Sequence, residues 1–345
     1  MKKCNKTFDE VFSYDNLYRA YMDCLKGVRW KGTVQRYELN AVTFLNKTMQ
    51  ELQDGTFKTG NFHRFDVIER GKVRHIKSVS ITERVVQRCL CDNLLSPVLS
   101  SKFIYDNCAC IKGKGTHFAY KRFKKHLKKC TQDDYILQFD FKKYFDSIPH
   151  DKLIYKLSGV FTDKRLMELI TKLVNDFDGD KGLGLGSQIS QICALYYASG
   201  IDHRLSNRTD IIAYARYMDD GYILAHDKET LKECRTAIEK LANDLGIELH
   251  PTKTRIIKLK NKITYLKARF YLTKMGKVII KPNKKNISRN RRKLRILSER
   301  VRDGTFSKEK FDEVVTTIFG NLKHFDCYKL REEIRGKYGL LQDSA

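Results

Sequence analysis

The stretch "YARYMDDGYILAH", residues 214–226, places two adjacent aspartates, Asp219 and Asp220, between two runs of apolar and aromatic residues. Two such runs joined by a short polar turn are typical of a β-hairpin. Two carboxylates at its tip repel each other, and a divalent cation relieves that conflict. Mg²⁺ prefers hard oxygen ligands and is commonly held by one or two carboxylates together with substrate phosphates. The stretch therefore predicts a magnesium-binding hairpin.

A second source of carboxylate is needed on a neighbouring strand, and Asp140 is the best candidate in the chain. It ends "DYILQFD", residues 134–140, which has the composition of a β-strand. Two metal ions about 4 Å apart clamp the attacking and leaving oxygens in phosphoryl transfer. We expect Asp140, Asp219 and Asp220 to converge on one such pair. If they lay far apart, only a basic RNA-binding protein would remain.

The charge balance indicates a polyanionic partner. The chain has 345 residues with 67 Lys and Arg against 41 Asp and Glu, a formal net charge of +26. Residues 251–300 hold 18 of these basic residues and one acid, Glu299. A block of like charge repels itself unless a polyanion lies against it, although a solvated helix face is the alternative. The candidate nucleic-acid contacts in this block are Lys284, Lys285, Arg291 and Arg292.

The ten cysteines are scattered, and the C-x-C pairs at residues 89–91 and 108–110 lack partners at zinc-finger spacing. We expect reduced, mostly buried thiols rather than zinc ligands. No apolar run approaches the roughly 18 residues that span a bilayer, and no secretory h-region follows the first residues. These features predict a cytoplasmic protein with no membrane partner.

Hydrophobic periodicity predicts an α+β fold. Helices are expected within residues 14–55 and over 81–99, and two short strands around the turn "ERGK" within 62–79. Next come a strand that ends at Asp140 and a helix after Pro149. A buried helix is expected from Ser190, after a glycine-rich loop. The aspartate hairpin and an amphipathic helix ending at Gly246 come next. This order around a sheet favours α+β over a doubly wound parallel fold.

Four ordered motifs give the chain a resemblance to reverse transcriptases. "YMDD" (217–220) resembles that family's motif C, "FDFKKYF" (139–145) its motif A, "LGLGSQISQ" (183–191) its motif B and "LGIELHPTKTRI" (245–256) its motif D. The resemblance covers roughly residues 60–330. It implies a right-hand polymerase fold with fingers and N-terminal helices over 1–130, a palm over 131–260 and a basic helical thumb over 261–345.

The resemblance also assigns roles near the metal ions. Asp140 and Asp219 would hold both Mg²⁺ ions, with Mn²⁺ as a possible substitute, and Asp220 would sit at the edge of the site or serve only in the turn. Phe145 matches the steric gate that excludes a ribose 2′-OH, with core packing as the alternative. RNA-templated RNA polymerases carry an Asp at this position. Phe141, in the same motif, is expected beside the nucleotide.

Basic residues complete the implied nucleotide site. Arg74, with Arg70 or Lys72, resembles the clamp of the fingers on the triphosphate. Lys253 matches the motif D lysine that could donate a proton to the leaving pyrophosphate, and an ordinary solvated lysine is the alternative. "KGKGTHFA", residues 112–119, lacks the Walker A pattern and resembles a template-touching segment, so Lys112 and Lys114 are candidate nucleic-acid contacts.

Two departures from the common pattern bear on the type of enzyme. Motif B reads Leu185, Gly186 and Gln191 in an L-G-x-x-x-S-Q pattern, where retroviral and group II intron enzymes show Q-G-x-x-x-S-P. It resembles the diversity-generating retroelement enzymes, which copy an RNA template with frequent errors at adenines. In "YLKARF", residues 265–270, Lys267 stands where the primer grip has glycine, and it is a candidate nucleic-acid contact.

The expected function is RNA-directed DNA synthesis from dNTPs on a template RNA and primer, by a bacterial or phage-encoded enzyme. A small accessory protein or a structured non-coding RNA is the expected further partner. The alternatives are an antiphage defence-associated reverse transcriptase, RNA synthesis, and a polymerase-shaped RNA-binding protein without turnover.

Overall fold

The computed structural model describes residues 3–69, 71–184 and 186–338, without the side chains of Glu69, Lys72 and Arg74. The helices are α1 (Phe8–Val11), α2 (Tyr14–Leu25), α3 (Gly32–Leu39), α4 (Ala41–Gln53), α5 (Ile81–Leu90), α6 (Ser96–Ser100), α7 (Thr116–Leu127), α8 (Tyr144–Ser147), α9 (His150–Ser158), α10 (Lys164–Asn175), α11 (Gln188–Tyr197), α12 (Ser199–Ser206), α13 (Lys228–Asp244), α14 (Lys284–Arg302), α15 (Lys308–Leu322) and α16 (Tyr328–Tyr338). The strands are β1 (His63–Glu69), β2 (Lys72–Ser78), β3 (Tyr135–Asp140), β4 (Ala213–Tyr217), β5 (Asp220–Ala225), β6 (Arg255–Lys258), β7 (Ile263–Tyr265), β8 (Ala268–Leu272) and β9 (Val278–Pro282). The predicted α+β class is confirmed.

Several helix boundaries follow from side chains that cap them. Ser80 accepts a hydrogen bond from the Glu83 amide at the start of α5, and Asp227 accepts one from the Thr230 amide at the start of α13. Gly246, just after α13, has φ +75°, a conformation that favours glycine. The predicted helix over 81–99 continues through a π-helical turn at Cys91–Leu95 into α6.

The central sheet has the strand order β4-β5-β3-β6, and its neighbouring strands are antiparallel. β3 lies between β5 and β6, so the strand that ends at Asp140 runs alongside the second strand of the aspartate hairpin. The predicted strand and the predicted hairpin are both confirmed. This pairing joins segments about 80 residues apart in sequence at one end of the sheet.

Two hydrophobic layers cover the central sheet because successive strand residues point to opposite faces. Leu137, Phe139 and Ile223 belong to a core that also contains the apolar face of α13. Ile136, Tyr222 and Leu224 point the other way, into a core shared with α7 and with the sheet β7-β8-β9. Each fully buried Leu or Phe contributes about 1.5–3 kcal/mol to folding. The sheet is therefore held rigidly from both sides.

β4 is an edge strand of the central sheet, and a loop covers it. Arg216 in β4 exchanges backbone hydrogen bonds with Asp106 and Cys108. The Arg122 side chain pairs with both carboxylate oxygens of Asp106 and fixes that loop. Covering an edge strand in this way removes a row of unpaired backbone groups.

The hairpin β1-β2 is tied to the loop after α10. Phe62 stacks on Phe177 with ring centroids 5.6 Å apart. Arg64 and Lys77 both pair with Asp178, at 3.0 and 2.9 Å. These contacts set the position of the hairpin relative to the segment that precedes Gly186.

The C-terminal region begins with strands and continues as helices. Residues 263–282 form the three-stranded antiparallel sheet β7-β8-β9, and the helices of the predicted thumb start at Lys284. α14, α15 and α16 share a small core of their own, which includes Leu294, Phe311 and Ile334.

The ten cysteines are all free thiols, and seven of them are buried, as expected. Among the described residues, no set of three or more His, Cys, Asp or Glu side chains is arranged as a ready-made metal site. None of the helices in the described part of the chain combines the length and apolar composition that crossing a membrane requires.

Candidate active site

The three aspartates meet at one end of the central sheet. Asp140 in β3 lies directly opposite Asp220 in β5, and this register directs both side chains to the same face. Asp219 sits in the two-residue turn between β4 and β5, and its carbonyl accepts a hydrogen bond from the Phe141 amide at 3.2 Å. The convergence expected from the sequence is present.

The turn that carries Asp219 has a strained backbone. Met218 has φ +58°, although a long side chain disfavours the left-handed region. Such strain persists only where the surroundings over-determine the conformation. Here the Arg216 side chain donates to the Met218 carbonyl at 2.7 Å and holds the turn from behind.

Arg216 belongs to a buried polar network. Its guanidinium is fully buried and forms a two-point pair with Asp202 of α12, each contact 2.6 Å long. It also donates to the Leu195 carbonyl at 2.9 Å, and Tyr214 donates to Asp202 at 2.6 Å. Burial opposes the charge of Arg216, but Asp202 raises the pKa of Arg216 above its usual value. The network fixes the aspartate turn to α11 and α12.

Glycine follows the aspartate pair for a packing reason. Gly221 lies opposite Phe139, and a Cβ at this position would come within 2.1 Å of the Phe139 ring. The absence of a side chain lets the ring pass over β5. The ring is one residue from Asp140, so this contact helps to align the two strands that carry the carboxylates.

Lys253 is the basic neighbour of the aspartates. Its Nζ donates to both carboxylate oxygens of Asp140, at 2.8 Å each. The Asp140 carbonyl accepts from the His250 amide at 2.7 Å, which fixes the loop that carries Lys253. Asp140 and Lys253 line a cleft of about 260 Å³ together with Asp220, Arg255, Tyr265 and Leu266.

The pKa values of the aspartates show that their charged forms are disfavoured at this end of the sheet. Burial is the largest cause that raises the pKa of Asp219 and of Asp220, and the charges of the neighbouring aspartates add to it. Burial lowers the pKa of Lys253, but its bonds to Asp140 outweigh this and raise that pKa above its usual value. Arg255 also lines the cleft, but it is not among the charges that act on Asp219 or Asp220, so these two carboxylates keep raised pKa values.

The donor set fits a hard divalent cation. Carboxylate oxygens are the ligands that Mg²⁺ prefers, and a dication would stabilise the charged carboxylates against both their burial and their mutual repulsion. Because Lys253 bonds both oxygens of Asp140, a cation bound there would displace the ammonium from at least one of them. The Lys253 ammonium could then bond to another molecule bound in the cleft.

Two of the residues predicted to touch a nucleotide lie at α8, Phe141 just before it and Phe145 within it. Phe141 is buried and stacks on Tyr144 with centroids 5.2 Å apart. Phe145 is half-buried, lies edge-on to Tyr144, and accepts from the Leu183 amide at 2.7 Å through its carbonyl. Gly186 has φ +103°, and Gln191 is an exposed residue of α11. The backbone bond brings the Phe145 segment against the segment before Gly186.

The predicted triphosphate clamp is described only in part. Arg70 and Leu185 lie outside the described residues. Lys72 and Arg74 are placed by their backbone in β2, and Arg74 lies opposite Val67 of β1. Their roles stay predictions.

The predicted nucleic-acid contacts fall into two groups. Lys112, Lys284, Lys285 and Arg292 are exposed, and Arg291 is exposed but pairs with Glu333 at 2.5 Å. Lys114 is half-buried and donates to the carbonyls of Tyr105 and Asn107, which gives it a structural role in the loop that covers β4.

Lys267 occupies a turn whose backbone conformation favours glycine. Leu266 and Lys267 form the two-residue turn between β7 and β8, with φ +46° and +68°. Positive φ at both central residues is the pattern of a type I′ hairpin turn. The Leu266 carbonyl accepts from the Tyr120 hydroxyl at 2.7 Å, and Lys267 is exposed.

The sequence interpretation missed a second buried network, behind the glycine-rich loop. Ser187, which caps α11, donates to Gln87 at 3.0 Å, and Gln87 donates to Glu83 at 2.9 Å. Glu83 accepts from the Gly60 amide at 3.2 Å. Burial raises the pKa of Glu83 to about 7. Glu83 and Gln87 are four residues apart in a predicted helix, a spacing that could have indicated one helix face.

A comparison with protein families matches residues 58–270 to the model described as reverse transcriptase (RNA-dependent DNA polymerase). Among curated proteins, the chain is 25% identical over 183 residues to a COX1/OXI3 intron 2 protein of Saccharomyces cerevisiae, covering 48% of this chain and 20% of that protein. It is 29% identical over 177 residues to an uncharacterized 91 kDa protein in the cob intron of Schizosaccharomyces pombe, covering 48% and 21%. The chain spans about a fifth of the length of these relatives.

Among solved structures, telomerase from Candida albicans in complex with a fragment of telomeric RNA is similar in fold. The TM-score is 0.50 at 13% identity, covering 81% of this chain and 62% of that one. This similarity confirms the expected polymerase fold.

Proposed function

Because this chain belongs to the reverse transcriptase (RNA-dependent DNA polymerase) family, we propose that it copies an RNA template into cDNA by nucleotidyl transfer at Asp140, Asp219 and Asp220. The observation that carries the proposal is the register that sets Asp140 opposite Asp220, with Asp219 in the adjoining turn. The chain retains all three carboxylates, which favours turnover over RNA binding alone.

Reverse transcriptases use divalent metal ions, and the carboxylates of this cleft fit them. We propose that Asp140 and Asp219 hold two Mg²⁺ ions, or Mn²⁺ in their place, while Asp220 lies at the edge. When bound, the ions would activate the primer 3′ oxygen and neutralise charge on the leaving pyrophosphate. Lys253, once displaced from Asp140, would donate a proton to that pyrophosphate.

The nucleotide would lie against α8 and the glycine-rich loop. We propose that Arg74, with Arg70 or Lys72, holds its triphosphate, and that Phe141, Leu185, Gly186 and Gln191 surround its base and sugar. This assignment is supported by the bond between the Phe145 carbonyl and the Leu183 amide, which sets the two segments side by side.

Residues 1–130, 131–260 and 261–345 are proposed as fingers, palm and thumb. The RNA template and primer would run along the basic surface that includes Lys112, Lys267 and the exposed face of α14, because phosphates offset its charge. The mutual repulsion of the basic residues in α14 supports this placement.

A primer-extension assay tests the proposal. Purified protein, RNA template, annealed primer and Mg²⁺ are incubated with either dNTPs or NTPs. We expect extension with dNTPs that EDTA abolishes and added Mg²⁺ restores. Ribonucleotide incorporation equal to that of dNTPs would instead indicate RNA synthesis. No extension on any template and primer tested would leave the RNA-binding alternative.

Phe145 supplies a sharper test of sugar selection. Replacing Phe145 with alanine removes the ring that would meet a ribose 2′-OH. We expect the preference for dCTP over CTP to fall by about 10-fold to 100-fold, with dCTP use reduced only slightly. Phe177→Ala removes a buried ring from the neighbouring loop and is the control for general loosening. An unchanged preference in Phe145→Ala would assign Phe145 to core packing.

On the L-G-x-x-x-S-Q motif we further propose the diversity-generating retroelement type, with an accessory protein or structured RNA as partner. Sequencing the cDNA made from a native template would test this. Errors concentrated at template adenines support the retroelement type, and faithful or repetitive products favour the defence role instead.

A further inference from the structure

A second pocket lies on the side of the molecule behind the aspartate turn. Its volume is about 870 Å³, and it forms where the end of α9, the junction of α11 and α12, and the turn after α6 meet the N-terminal segment. Ser187 caps the start of α11, and Tyr196 and Tyr197 end this helix of ten residues. At 1.5 Å per residue the pocket is about 15 Å from the glycine-rich loop. It is separate from the aspartate cleft.

The walls of this pocket are positively charged. Lys3, Lys102 and Lys156 line it, and no carboxylate lies among the described residues that do. Asp202, nearby in α12, is fully buried and already bonds Arg216 and Tyr214. A concave surface lined by lysines, with no carboxylate among its described residues, attracts an anion.

Lys156 is the central cation. Its Nζ donates to the Tyr197 carbonyl at 2.6 Å and lies 5.1 Å from the centroid of the Tyr196 ring. In the described part of the chain no carboxylate pairs with it, and burial lowers the pKa of Lys156 to about 8. An ammonium has three N–H donors. A phosphate oxygen in the pocket would accept from the donors not used by Tyr197 and would stabilise the charge.

Aromatic rings lie beside these cations. Tyr155 is 82% exposed at the rim of the pocket, and Tyr196 and Phe103 form part of its wall. An exposed tyrosine ring offers a flat face for a base, while neighbouring lysines contact the phosphate. Serine hydroxyls at Ser158 and Ser199 add hydrogen-bonding groups for a sugar. This combination matches the parts of a nucleotide.

We propose that this pocket binds a nucleoside phosphate, either as a free nucleotide or as one unit of an RNA strand that passes behind the palm. The phosphate contacts Lys156, and the base stacks on Tyr155. Binding here does not require catalysis at the aspartates, so the proposal stands or falls separately from polymerase activity.

Photo-crosslinking distinguishes the two sources of the ligand. One arm uses 8-azido-ATP, and the other uses an RNA of about 12 nucleotides that contains 4-thiouridine. Crosslinked peptides are mapped by mass spectrometry. We expect adducts within residues 153–159 or 196–203. Adducts with ATP alone assign a free nucleotide, and adducts with RNA alone assign an RNA segment. No adduct in either range with either probe overturns the proposal.

Variants test the assigned contacts. We expect Tyr155→Ala and Lys156→Gln each to reduce these adducts about tenfold, while adducts elsewhere persist. Lys228→Ala, at an exposed lysine that starts α13, is the matched control and should change nothing. Tyr155 is too exposed for its loss to unfold the protein, so a normal yield of adducts in Tyr155→Ala overturns the stacking role even if Lys156→Gln fails to fold.

Discussion

Asp219→Ala is expected to reduce primer extension by about 10³-fold or more, which corresponds to about 4 kcal/mol of transition-state stabilisation. Asp219 lies in the turn beside Asp140 and Asp220, where its carboxylate would bind both metal ions. Removing it takes away one of the two carboxylates proposed to hold both ions. Single-turnover extension with dNTPs over a range of Mg²⁺ concentrations measures the loss.

Two further variants define what this result means. Asp210→Ala removes an exposed acid just before β4, which pairs with Arg208, and should leave extension unchanged. Asp220→Ala should reduce extension less than Asp219→Ala if Asp220 lies only at the edge. RNA binding by Asp219→Ala should match that of the wild type. Equal extension by Asp219→Ala and wild type would reject catalysis at this site.

The sequence predicted the strands that carry the aspartates because their apolar residues alternate with period two or form short buried runs. The register between β3 and β5 could not be read from that pattern, since it depends on how the two faces of the sheet are covered. Asp140 and Asp220 are set opposite each other by the packing of Phe139 over Gly221. The expected convergence came from the need of a metal pair for a further carboxylate, and the motif resemblance supported it.

The pair of Arg216 with Asp202, which holds the aspartate turn from behind, was not predicted, although the sequence contains one indication of it. Arg216 is two residues after Tyr214, so both side chains lie on the same face of β4, the face that packs on the main core. A charged residue at an inward position of a strand indicates a buried partner. Nothing in local spacing identifies Asp202 as that partner, because it lies on a helix whose angle to the sheet is set by tertiary packing.

The connection of Lys253 to Asp140 illustrates the same limit. Motif D placed this lysine near the site by resemblance, but the bond to both carboxylate oxygens depends on the pairing of Phe141 with Leu249. That pairing brings the loop after residue 249 alongside β3. The lysine and the aspartate are 113 residues apart, so only the folded chain reveals their contact.

Arg216→Met is expected to reduce the free energy of unfolding by about 3–5 kcal/mol, because it leaves Asp202 buried without its partner. Both side chains are fully buried in the pair. Arg235→Met, which breaks an exposed pair with Glu239, should change stability by no more than about 1 kcal/mol. Urea denaturation followed by circular dichroism measures both values. Similar losses in the two variants would contradict the assigned network.

A double variant separates support of the fold from support of the turn. Arg216→Met with Asp202→Leu removes both charges, and we expect it to recover much of the stability that Arg216→Met loses. Neither methionine nor leucine can donate to the Met218 carbonyl, so the left-handed backbone at Met218 loses the bond that holds it. Extension should therefore remain low in the double variant, with primer–template affinity close to that of the wild type. If extension instead recovers with stability, Arg216 supports the fold alone. If only stability recovers, the guanidinium positions the aspartate turn, and the strain at Met218 is maintained for catalysis.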